Sequence, residues 1–223
     1  VAPVKKKYPN ITLEMVRSGK GTTPQDLVAA GNVPDIIYTG SAGALNITQL
    51  QAGQDLNPLI KKAGMDIGKF DSVAMQAIGM YSDQKQTLAL PLSINFSTLY
   101  YNKDVFDMFG AAYPRDGMTW DQAIEVAKKV TREANGVSYK GLEFDGGTGS
   151  VKRLGEQLEL PLVDSKTLKA ALNTDGWKKA MSTMNTIKFI PGNDNPQKPI
   201  PSFEQDRNVA MMAGLGIRTR LSK

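Results

Sequence analysis

The chain has 223 residues, of which 41% are hydrophobic and 22% charged, and a formal net charge of +5. That balance is ordinary for a folded globular protein with room for a sizeable core, and disorder is not expected. Cysteine and histidine are both absent. This excludes disulfides, Cys or His metal sites, cysteine nucleophiles and histidine acid–base chemistry.

The excess positive charge is scattered over Lys5, Lys6 and Lys7, the pair Lys61 and Lys62, and the pair Lys128 and Lys129, with acidic residues between them. No basic stripe interleaves with aromatics, so no nucleic-acid partner is expected. No run of about 18 apolar residues occurs, so no membrane-spanning helix is expected. The opening Val1-Ala2-Pro3-Val4-Lys5 has neither the apolar core nor the cleavage pattern of a signal peptide, so if the protein is exported its targeting segment is expected to lie upstream or to have been removed.

In chain order, Ile11 to Val16 alternates apolar and polar residues and predicts a strand. Thr22-Thr23-Pro24 predicts a helix start, with its stop at Gly31-Asn32. Pro34 to Thr39 reads as a second strand, continuous in apolar character at Ile36-Ile37-Tyr38, followed by a helix from about Ala44 to Ala52. This strand–helix alternation predicts an α/β fold with mainly parallel strands. Thr87 to Leu92 is a third strand, and Ser93 to Asn102 continues extended. A boundary is expected near Pro91 to Asn95, where a strand passing between two bodies would serve as a hinge.

Asp104 to Phe109 predicts a short helix closed by Gly110. Thr119-Trp120-Asp121-Gln122 fits a capping box, with a helix running toward a stop at Gly136. Gly141 to Phe144 and Val209 to Ala213 read as strands, and Asp175 to Ile187 as a helix with Trp177, Met181 and Met184 on one face. Asn193 to Pro201 reads as a loop. Both tryptophans are read as packing residues, with stacking on a sugar as the alternative for either.

Three motifs fail as chemistry. Ser18-Gly19-Lys20-Gly21-Thr22 lacks the spacing of a phosphate-binding loop. Asp145-Gly146-Gly147-Thr148-Gly149 lacks the alternating oxygen ligands and terminal Glu of a calcium loop. Glu143 with Asp145 is a carboxylate pair of a kind that glycoside hydrolysis uses, but such pairs more often serve as solvated or hydrogen-bonding groups.

Five ordered motifs resemble the extracellular solute-binding proteins of the sugar-binding (family 1) type. They are Lys7-Tyr8-Pro9-Asn10-Ile11; Ala29-Ala30-Gly31-Asn32-Val33-Pro34-Asp35-Ile36-Ile37; Leu90-Pro91-Leu92-Ser93 with Leu99-Tyr100-Tyr101-Asn102-Lys103-Asp104-Val105-Phe106; Pro114 with Thr119-Trp120-Asp121-Gln122-Ala123; and Phe203 with Val209-Ala210-Met211-Met212. The resemblance implies a periplasmic-binding-protein-like (type II) α/β architecture of two lobes, residues 1–94 and 95–223, with ligand between them. It also implies a strand ahead of Val1 and a return to the first lobe after Lys223, so that the fold here is incomplete.

The implied function is extracytoplasmic capture of a small solute, a mono- or oligosaccharide, for an ABC importer. The protein would be periplasmic, or a lipoprotein on a Gram-positive cell surface. The implied partners are the solute and a membrane permease; a monomer without cofactor, metal or catalytic residues is expected. A carbohydrate-active enzyme and an exported ligand-sensing or interaction subunit are the alternatives. Candidate ligand contacts are Thr39, Gly40 and Ser41 after the second predicted strand, Ser93 and Asn95 on the crossover, Glu143 and Asp145 after a strand of the second lobe, and Gly214 and Ile217 after the last strand.

Overall fold

A computed structural model describes residues 2–82, 86–146, 150–193 and 199–215. The chain divides into two compact units, residues 1–94 and 95–223.

The first unit carries helices α1 (Ala2–Lys7), α2 (Pro24–Ala29), α3 (Ser41–Gln49), α4 (Asn57–Lys62) and α5 (Ser72–Gly79), with a 3-10 turn at Ile67–Lys69. Helix α2 starts where Thr23-Pro24 predicts it. The Thr23 hydroxyl accepts from the Asp26 N–H, and the Asp26 carboxylate accepts from the Thr23 N–H at 3.1 Å. The Thr23 hydroxyl also donates to the Asp26 carboxylate at 2.7 Å, and that bond, followed by the one from the Thr23 N–H, holds the Asp26 carboxyl below its ordinary range. Helix α3 begins at Ser41, one turn ahead of the expected Ala44.

The strands expected at Ile11 to Val16, Pro34 to Thr39 and Thr87 to Leu92 are not strands. No ladder forms among the described residues of this unit, and none of them is fully buried. Ile36, Tyr38 and Leu92 are about four-fifths exposed, at 82%, 77% and 81%. The physical reason is that apolar alternation marks a face that wants cover, whereas a strand exists only once a neighbour takes its backbone N–H and C=O groups. One such bond is present, from the Leu56 N–H to the Thr87 carbonyl at 2.9 Å.

The second unit holds β1 (Ser97–Tyr101), α6 (Lys103–Phe109), α7 (Trp120–Val130), β2 (Arg132–Ala134), β3 (Val137–Phe144), α8 (Val151–Gln157), α9 (Asp175–Lys188), α10 (Pro199–Glu204) and β4 (Val209–Leu215). The sheet order is β1-β4-β3-β2. Only β3 and β4 run parallel, with Leu142 opposite Met211 and Phe144 opposite Ala213; β1 with β4 and β2 with β3 are antiparallel. The sheet is therefore mixed, which corrects the expectation of mainly parallel strands. The hairpin explains part of the difference. Helix α7 ends at Val130, and Gly136, expected to stop it, instead makes the β2–β3 turn with Asn135. Both turn residues have positive φ, 53° and 74°, as a two-residue hairpin requires.

Local signals place the helices of this unit. The Thr119 hydroxyl accepts from the Gln122 N–H, and the Gln122 amide oxygen accepts from the Thr119 N–H, closing the capping box of α7. Gly110 ends α6 in the left-handed region. Ala127 and Val130 of α7, Phe106 of α6, Leu142 of β3 and Met211 of β4 are wholly buried in one core, joined by Trp177, Ala180 and Ile187 of α9. The Trp177 indole N–H finds the Pro161 carbonyl at 2.9 Å, so this ring is a core residue with its polar edge satisfied.

Asn193, expected in a loop, is buried and continues the sheet edge where β2 stops. Its amide oxygen accepts from the Gly141 N–H at 2.9 Å, and its amide nitrogen donates to the Leu142 carbonyl at 2.8 Å and the Ile187 carbonyl at 3.1 Å. With a longer bond from the Leu142 N–H at 3.4 Å, one side chain thus engages three backbone groups of β3 and one of the last turn of α9.

Candidate functional site

The second unit bears a groove of about 910 Å³ above the core. Leu99 of β1, Phe144 of β3, and Ala213 and Gly214 of β4 line it from the sheet. Thr119 and Trp120 line it from the start of α7, Arg153 and Gln157 from α8, and Lys179 and Thr183 from α9. Asn95 lines it just ahead of β1.

Trp120 is held from two sides. Its half-buried ring lies on Phe144, with centroids 5.4 Å apart and planes tilted by 31°. Its indole N–H donates to the Gln157 side-chain oxygen at 2.8 Å. The capping box fixes the first turn of α7, and therefore the point from which the ring projects. The result is an oriented aromatic surface in a groove that also holds an amide at Asn95, a hydroxyl at Thr183 and charged groups on α8 and α9. A ligand with alternating apolar C–H faces and hydroxyl edges fits that combination.

Beside Gly214 the groove is built from an ion pair. Asp145 follows β3 and is anchored by its own N–H, which donates to the Ala213 carbonyl at 3.1 Å. Its carboxylate pairs with the Arg153 guanidinium. The Asp145 side chain is 8% exposed and that of Arg153 28%. The carboxylate lies against Gly214, where a β-carbon would come within 2.8 Å of it.

Of the residues singled out from sequence, Asn95 and Gly214 line this groove, and Asp145 reaches it through Arg153 and Gly214. Glu143 does not line it. Its ladder partner is Met212, which packs with Phe203, Val209 and Tyr100 apart from the main core. Its carboxylate engages the buried Lys140 ammonium at 3.1 Å. Burial pushes the Glu143 carboxyl above its ordinary value, and the attraction of Lys140 opposes that rise. Thr39 and Gly40 are exposed in the first unit, immediately before α3, and Ser41 is the first residue of that helix. Ser93 is exposed near the end of the first unit, and Ile217 lies outside the described residues.

Sequence reasoning missed Arg153 and Gln157. The one available signal was their spacing of four on a helix, which puts both on one face of α8. Among the described residues no group of three or more acidic side chains is arranged to hold a metal ion, and no helix is long and apolar enough to cross a membrane.

The family of bacterial extracellular solute-binding proteins matches residues 1–214, and the chain belongs to it. A sequence relative is the sn-glycerol-3-phosphate-binding periplasmic protein UgpB of Shigella dysenteriae, 30% identical over 129 residues, which make up 54% of this chain and 29% of the relative. Two solved structures share the fold. The ABC substrate-binding protein Lmo0181 of Listeria monocytogenes, in complex with cycloalternan, superposes with a TM-score of 0.74 at 20% identity, covering 96% of this chain and 56% of that one. The sugar-binding protein MalE of Xanthomonas citri gives 0.72 at 16% identity, covering 98% and 56%. The chain therefore has the α/β fold of periplasmic sugar-binding proteins and spans a little over half the length of these structures.

Proposed function

We propose that this chain belongs to the extracytoplasmic substrate-binding component of an ABC importer and takes a neutral polyhydroxylated solute, a mono- or oligosaccharide or a polyol, without transforming it. The observation that carries this reading is Trp120, laid on Phe144 and pinned by Gln157 in a groove that also holds the Asn95 amide. A ring so fixed loses little freedom on stacking against a sugar face, and amides serve hydroxyls as both donor and acceptor. Family membership supports the same reading, since the relatives are solute-binding proteins rather than enzymes. A membrane permease as partner, location in the periplasm or on a lipid-anchored surface, the lobes at residues 1–94 and 95–223, and capture by hinge closure belong to this proposal.

A second reading, an anionic polyol such as the sn-glycerol 3-phosphate named for UgpB, is favoured by Arg115, Arg153 and Lys179 along the groove. A thermal-shift panel separates the two, because a ligand that binds only the folded state raises its melting temperature. Neutral sugars or polyols are expected to raise it. A shift with sn-glycerol 3-phosphate alone would establish the second reading, and a shift only with amino acids or peptides would reject both.

A further inference from the structure

The charged side chains that line the groove are Arg115, Arg153, Lys179, Asp116, Asp121 and Glu156, three of each sign. Among the described residues, Arg153 is the one of these three cations held in an ion pair. Its guanidinium is paired with Asp145, a carboxylate almost wholly out of solvent and fixed by its backbone bond to β4. Gly214 makes room for that carboxylate, since a side chain there would overlap it.

We propose that Asp145 is a specificity-determining residue: by occupying and neutralising Arg153 it keeps the groove selective for uncharged polyols and against phosphate esters. The inference rests on the neutral-solute reading above and assigns its selectivity to one carboxylate. An anion entering the groove meets a guanidinium whose charge is already balanced, and it also meets the repulsion of the Asp145 carboxylate behind it. A hydroxyl has no such conflict, because the guanidinium has five N–H donors and the ion pair leaves some of them to offer.

The test compares the wild-type chain with Asp145→Asn, Gly214→Ala and the double variant Asp145→Asn with Arg153→Gln. Dissociation constants for inorganic phosphate and for sn-glycerol 3-phosphate are measured by equilibrium dialysis at low ionic strength, where charge contrast is least screened. Asp145→Asn is expected to bind both anions about tenfold more tightly than wild type, the scale of one charge-assisted hydrogen bond released to a ligand. Arg153→Gln in the same chain is expected to abolish the gain. Gly214→Ala perturbs the pair without touching either charge, because its β-carbon displaces the carboxylate, and it is expected to shift anion affinity in the same direction.

Equal anion affinity in wild type and both single variants, with melting curves showing all of them folded, would overturn the proposal. So would a gain that survives loss of Arg153. The neutral-solute reading fails separately, by absence of any sugar or polyol shift in the wild-type chain, whereas the Asp145 proposal is decided on anion binding alone.

Discussion

The indole N–H of Trp120 donates to the side-chain oxygen of Gln157 across the groove at 2.8 Å, 37 residues apart in sequence. A tryptophan at the first position of a helix has several staggered orientations open to it. The Gln157 bond and the Phe144 ring select one, and the selected ring lines the groove.

If that orientation matters for binding, Gln157→Met should raise the dissociation constant for the bound sugar or polyol three- to tenfold, in line with the loss of about 1 kcal/mol from one hydrogen bond. The melting temperature should move little, because Gln157 is exposed. Trp120→Ala should weaken binding by roughly 2 kcal/mol, the scale of a buried aromatic anchor. Calorimetric titration of the three proteins against one ligand checks both.

The second unit should depend on Asn193 more than its place between loops suggests. Asn193→Ala leaves the Gly141 N–H and the Leu142 carbonyl buried without this partner, at a cost of about 1–3 kcal/mol for each unsatisfied group. Asn193→Asp keeps the acceptor but loses the amide donor to Leu142 and Ile187 and adds a buried charge, so it should be at least as damaging at neutral pH. Urea unfolding followed by circular dichroism measures both. A change below about 0.5 kcal/mol, the range of ordinary surface substitutions, would show that the edge of β3 is satisfied some other way.

Glu143 sets a direction for pH dependence. Burial raises its folded-state pKa above the ordinary 4.5, so the folded protein binds this proton more tightly than the unfolded chain does. Its contribution is most favourable below 4.5 and is lost as pH rises through the elevated folded value. The stability of wild type minus that of Glu143→Gln should therefore decline as pH increases from below 4.5 upward. A difference that instead grows with pH would mean that the attraction of Lys140 outweighs burial.

What could be read from the sequence was what short-range chemistry decides. Thr119 with Gln122, Thr23 with Pro24, and Gly110 after Phe109 mark helix ends because capping is settled within a few residues. Trp177 and Met184 mark the buried face of α9 because the helical period aligns them, whereas Met181, expected with them, lies at the edge of that face and is 56% exposed. Pairing was not legible in the same way. Ile36-Ile37-Tyr38 has strand character and no ladder, while Val137 to Tyr139 gains its strand from a hairpin turn that looked like a helix stop. The lining of the candidate groove was half visible. Asn95 and Gly214 came with family motifs, but Arg153 and Gln157 lie in α8, and their roles rest on Asp145 and Trp120, partners that no local pattern names. Trp120, read from sequence as a packing residue, does pack on Phe144, and it lines the groove as well.

The most direct test of solute binding at this groove uses the chain's own fluorescence. There are two tryptophans. Trp177 is buried in the core, so Trp177→Phe leaves Trp120 as the sole reporter at the groove. Titration of that variant with maltose, longer maltodextrins, D-mannitol and sn-glycerol 3-phosphate should give a saturable change in Trp120 emission with at least one neutral sugar or polyol. Saturable binding of such a ligand by calorimetry with Trp120 emission unmoved would place the solute elsewhere and contradict the assignment.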